Sequence, residues 1–94
     1  MVRFSIDKFD NFFEAVLKLK SIEDCRLFFE DVCTIKELEA ISQRLEVAKM
    51  LLDGKNYGEV SKATGASTAT ISRVNKCLTY GKGGYDVIFS ENEE

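Results

Sequence analysis

Between residues 7 and 20 the apolar positions Phe9, Phe12, Phe13, Val16 and Leu17 recur at the spacing of one helical face. This predicts a helix from Asp7 to Lys20. Ser21 follows with Asp24 three residues on, the pattern of a residue that caps the free amides of a new helix. The next apolar set, Ile22, Cys25, Phe28, Phe29 and Val32, predicts a short helix over Ile22–Val32. It carries more apolar surface than about three turns can cover within one small chain, so this face calls for a second surface.

Thr34 with Glu37 repeats the capping pattern and opens the longest predicted helix, where Leu38, Ile41, Leu45, Ala48, Leu51 and Leu52 keep helical period until Gly54. Glu39, Gln43, Glu46, Lys49 and Asp53 fall on its outer side, where a solvated stripe is expected and no further role. After Gly54 a short helix over Tyr57–Thr64, a tight connection at Gly65–Ala66 and a last helix from Ser67 to about Thr79 are predicted. Gly81, Gly83 and Gly84 then form a flexible joint. Beyond it, Tyr85 to Phe89 reads as a docking segment, helical or extended, and Ser90 to Glu94 as a disordered acidic end.

Composition narrows the class. With 94 residues, 45% of them hydrophobic, and no proline, the chain reads as one all-α domain over residues 1–82 with a glycine-hinged tail over 83–94. A chain of this size buries only roughly 60 to 65% of its unfolded surface, so a partner subunit would thicken its core. Phe9, Phe12, Phe13, Val16, Phe28 and Phe29 are the candidate core of a homodimer. Cys25, Cys33 and Cys77 form no CxxC pair and are odd in number, which argues for reduced thiols. There is no histidine, so neither a metal site nor a catalytic acid-base pair is expected, and the serines and threonines lack a base that would activate them. The N-terminus lacks the pattern of a leader and no apolar run is long enough for a membrane span, so a cytoplasmic protein with no membrane partner is expected.

The net charge of −3 at first opposes nucleic-acid binding, yet the charge is segregated. Residues 55–82 hold five lysines and arginines against one acid, whereas residues 1–54 hold eight against eleven and residues 83–94 none against four. Phosphate attraction follows the local field, so an acidic chain can present one basic face.

The basic block coincides with a predicted helix-turn-helix over residues 57–78. Gly65 can adopt the left-handed backbone that a sharp turn needs, and Ser67 can cap the second helix. Val60, Ala66, Ile71 and Val74 supply the apolar contacts that would hold the two helices at their crossing angle. What remains outward on the second helix is small or cationic: Thr68, Ala69, Thr70, Ser72, Arg73, Asn75 and Lys76, which together with Ser67 at its start are the candidate DNA contacts, suited to close approach to a major groove. Lys55, Lys62 and Lys82 would meet backbone phosphates, as would Lys76.

From Leu38 and Arg44 through Leu51-Leu52, Gly54, Gly65-Ala66, Ala69-Thr70-Ile71 and Arg73 to Leu78, the chain resembles the Trp repressor. The Tyr-Gly-Lys-Gly-Gly-Tyr run after it is similar to the Trp-repressor-like small bacterial proteins of the YerC/YecD type. The resemblance implies an intertwined, all-helical homodimer and a transcriptional regulator, by analogy a repressor. It also implies an effector site at Thr34, Arg44 and Arg73, which match the family's tryptophan contacts. Two positions depart from the family: Val74 stands where it has glycine and Cys77 where it has serine. The valine would fill space the indole needs, and a thiol is a weak partner for an amine, so tryptophan is not expected as corepressor and no cofactor is assigned.

Arg44 has two readings, a remnant of an effector pocket or, the favoured one, a cation paired with Glu46 or Glu37. Arg73 could serve ligand, phosphate or base edge, and DNA is favoured because Lys76 shares its helix. Cys77 is expected to face inward and pack. Two functions compete: a regulator that binds a pseudo-palindromic duplex as a homodimer, and a protein-interaction adaptor whose DNA binding is weak or nonspecific.

Overall fold

A computed structural model describes residues 5–90; the acidic end expected to be disordered lies, from residue 91 on, outside the described residues. All regular structure among them is helical. A 3-10 turn, Ile6–Phe9, leads into α1, Asp10–Val16, followed by α2, Ile22–Val32; α3, Ile35–Leu52; α4, Tyr57–Thr64; α5, Thr68–Tyr80; and α6, Gly84–Phe89. The chain divides into two compact units, residues 1–35 and 36–94.

In the first unit the single helix expected over residues 7–20 is shorter and begins as a 3-10 turn. Its end has a local cause. The amides of Lys18 and Leu19 bond to the carbonyls of Ala15 and Val16, i to i−3 bonds that tighten and close the last turn. Next, Ser21 turns extended, and its side chain accepts from the Asp24 amide at 3.0 Å, while the Asp24 carboxylate accepts from the Lys20 amide at 2.9 Å. The second half of this box thus falls one residue earlier than the usual form, on Lys20. Leu17, expected on the apolar face, lies past the helix and is 82% exposed.

The aromatics of this unit form a chain. Phe12 and Phe28 stack with centroids 6.1 Å apart, Phe12 meets Phe13 at 5.9 Å, and Phe28 meets Phe29 edge-on at 5.1 Å. Yet Phe9, Phe12 and Phe13 remain about two-fifths exposed, Val16, Phe28 and Phe29 are half-buried, and no described residue of the unit is fully buried.

The second unit has a small core. Val47 and Ala48 of α3, Val60 of α4, Ala66 of the turn, and Ile71 and Val74 of α5 are buried, with Met50, Leu51, Leu78, Tyr85 and Phe89 packed around them. All four residues expected to lock α4 against α5 are in that core. The docking segment after the glycine joint is helical, and Tyr85 and Phe89 of α6 hold it to the core.

Candidate nucleic-acid interface

The turn between α4 and α5 is built from its neighbours' backbone needs. Asn56 accepts from the Glu59 amide at 2.8 Å and the Glu59 carboxylate accepts from the Asn56 amide at 2.9 Å, a complete capping box that starts α4. Gly65 ends that helix with φ +76°, the left-handed conformation that costs a side-chain-bearing residue steric strain. The Thr64 hydroxyl donates to the Val60 carbonyl at 2.7 Å and accepts from the Ala66 amide at 3.1 Å; Ser61 donates to the Ala66 carbonyl at 3.0 Å. Gln43 reaches from α3 to donate to the Thr64 carbonyl at 3.2 Å. It therefore leaves the solvated stripe assigned to it and braces the turn.

Ser67 then caps α5 as expected, accepting from the Thr70 amide at 3.1 Å, and its hydroxyl also lies 3.2 Å from that of Thr70. These two hydroxyls are engaged in starting the helix, and Thr70 is half-buried. Along α5, Ala69, Ser72, Arg73, Lys76 and Tyr80 share one side and border an open depression together with Cys77 and Gly81. Thr68 and Asn75, seven residues apart, lie on a flank of that face, with the Thr79 hydroxyl donating to the Asn75 carbonyl at 3.1 Å. Lys55 precedes α4 and Lys62 belongs to it.

All five cations of the basic block, Lys55, Lys62, Arg73, Lys76 and Lys82, are exposed. Among the described residues none of them forms an ion pair, unlike Arg26, which pairs with Glu23 at 3.5 Å, and Lys49, which pairs with Asp53 at 3.7 Å. Glu59, the one acid of the block, is held at the N-terminus of α4, where the helix dipole favours it. Five unpaired cations against one occupied carboxylate leave this stretch free to attract phosphate.

The expected effector residues are dispersed along the chain: Thr34 precedes α3 in the first unit, Arg44 is half-buried in the middle of α3, and Arg73 is exposed on α5. Among the described residues Arg44 forms no ion pair, so its favoured pairing with Glu46 or Glu37 is absent. Along α3, Arg44 lies seven positions from Glu37, about two turns, and two from Glu46, and neither spacing matches the three or four residues that bring side chains together. Val74 is 1% exposed, its branched side chain built into the core rather than turned to a cleft. Cys77, expected to face inward and pack, is exposed, one turn beyond the buried Val74. Two contributors were not read from the sequence. Asn56 carries an Asn-x-x-Glu signal that was available, and Tyr80 continues the spacing of Arg73 and Lys76 by one more turn.

The Trp repressor protein family model matches residues 7–93. YerC of Bacillus subtilis strain 168, an uncharacterized protein, is 48% identical over 85 residues, which cover 90% of this chain and 82% of that one. Among solved structures, a TrpR-like protein from Eubacterium eligens is 50% identical with a TM-score of 0.85, over 90% of this chain and 88% of the other. A candidate Trp repressor from Staphylococcus aureus is 43% identical with the same TM-score, over 92% and 91%. With its helical order, its braced glycine turn and a match over nearly its whole length, the chain belongs to the Trp repressor family.

Proposed function

We propose that the protein is a sequence-specific DNA-binding transcriptional regulator, a repressor by analogy with its family, working in the cytoplasm as a homodimer on a pseudo-palindromic operator. The observation that carries this reading is the face of α5 on which Arg73 and Lys76 stand exposed and unpaired beside the small residues Ala69 and Ser72. Small side chains allow the helix to approach base edges, and the two cations meet the charged walls of the groove. Thr68 and Asn75 would contact one side of the groove, Ser67 and Thr70 would act mainly by fixing the start of the helix, and Lys55 and Lys62 would meet phosphates outside it. Two such helices in a dimer would enter successive major grooves about 34 Å apart.

No cofactor is assigned. Val74 and Cys77 stand where the family has glycine and serine, and these two departures are what support a regulator that does not take tryptophan.

Selection from a random duplex pool by the purified protein, with and without tryptophan, tests both parts. An enriched inverted repeat that is the same in both samples is the expected result. Recovery of an unenriched pool would sink sequence-specific regulation. The net charge of −3 favours a second reading, a protein-interaction adaptor with weak or nonspecific DNA binding. On that reading, neutralising Arg73 and Lys76 leaves the cellular effect intact.

A further inference from the structure

Tyr80 ends α5 and is 85% exposed, an unusual position for an aromatic ring that packs on nothing. It lies four residues beyond Lys76 and seven beyond Arg73, so its side chain emerges on the same side of the helix and borders the same depression. The helix stops directly after it. Gly81 takes an extended backbone, and a side chain there would run into the Cys77 carbonyl; the exposed Lys82 follows. The residue thus stands at a defined end of the helix, with a cation on either side of it in sequence.

Resting on the DNA-binding reading above, we infer that Tyr80 is a backbone anchor: its hydroxyl donates to a phosphate oxygen at the rim of the major groove while its ring lies against the adjoining sugar. Distance along the helix decides between backbone and base. A recognition helix meets base edges with its N-terminal residues. At 1.5 Å per residue, Tyr80 sits about 16 Å along the axis from Ala69. The major groove is only about 8.5 Å deep and about 12 Å wide. With Ala69 and Ser72 near the groove floor, Tyr80 has left the groove and stands at its wall, where phosphate and deoxyribose are the available chemistry. A phenol suits both, an apolar plate with one donor at its tip. Being neutral, it releases no counterion. Its contribution is therefore orientation of α5, set apart from the charge contribution of Lys76.

The test compares wild type, Tyr80→Phe, Tyr80→Ala and Lys76→Ala by fluorescence anisotropy on two labelled probes, a mixed-sequence duplex and the duplex enriched by selection, across a salt series. The expected result is that Tyr80→Phe weakens binding to both probes by about a hundredfold, the loss of one hydrogen bond to a charged acceptor in each protomer, with the salt slope unchanged. Tyr80→Ala should lose at least as much, whereas Lys76→Ala should lower the slope by about two, one per protomer of the dimer. Because the ring is exposed, thermal melting and oligomer size should stay those of wild type. Wild-type affinity in Tyr80→Phe, a changed preference among base sequences, or an altered oligomer size in Tyr80→Ala would each overturn the anchor. Failure of the wild type to bind either probe is a separate result; it removes the DNA-binding reading itself and the anchor with it.

Discussion

Ile71 and Val74 show how much one position can decide in so small a core. Among the described residues of the second unit six are buried, and Ile71 is the largest of them. Cutting it to alanine should leave a void that the short helices α4 and α5 cannot both close around. Ile71→Ala is expected to lose 2–5 kcal/mol of stability, read as a lower urea midpoint with an unchanged slope. Gly65 works through its backbone: with φ at +76° and open space where a Cβ would stand, a substitution meets strain and no collision. Gly65→Ala should therefore cost about 1–2 kcal/mol in the same measurement and leave the helical circular dichroism intact. The roles of these residues were legible in the sequence, since a glycine between two amphipathic runs and four apolar positions at helical spacing mean the same thing in most surroundings. The place of Gln43 was not, because a glutamine on an outer face reads as solvated until a helix terminus is found beside it.

At the scale of elements, α4 and α5 start where their side chains make them start, and short-range rules sufficed to find both. Ser21 and Ser67 were read as caps and act as caps, and Asn56 could have been read the same way. The first helix was overestimated because apolar periodicity over residues 9–17 says which way a helix would face and little about how far it continues. Its end is set by a competition in which Ser21 and Asp24 draw the chain into the next cap. On α5, exposure without an ion-pair partner is what leaves Arg73 and Lys76 available to a phosphate. Arg73→Ala and Lys76→Ala should each weaken binding to specific and nonspecific duplex and reduce the slope of log affinity against log salt by about two, one per protomer of the dimer, measured by titration at several salt concentrations. An unchanged slope in both variants would mean that α5 does not face the phosphates.

For the whole molecule, the imbalance between the two units is the informative feature. Residues 5–35 include five phenylalanines and not one fully buried side chain, and α3 adds Ile41, Leu45 and Leu52, each two-fifths to one-half exposed. Apolar surface on this scale favours a second copy of the chain, since a monomer would leave it in water at roughly 25 cal/mol per Å². Folding linked to association makes stability depend on concentration. The melting temperature is therefore expected to rise with protein concentration, with a sedimenting mass of two chains at micromolar levels; a concentration-independent melt at the mass of one chain would refute the dimer. No helix among the described residues is long and apolar enough to cross a membrane, so these faces are not spans.

By itself the sequence determined the helical class, the order of the long elements, the caps at Ser21 and Ser67, the turn at Gly65 and the basic block, because each follows from contacts or conformational preferences within a few residues. Only the tertiary structure decided which polar groups are committed and which remain free. Gln43 bonds to Thr64, Val74 is enclosed, Cys77 is exposed, and Tyr80 is left standing beside Lys76. These outcomes depend on which faces of α3, α4, α5 and α6 remain after the core has formed. Periodicity states only that each helix has such faces.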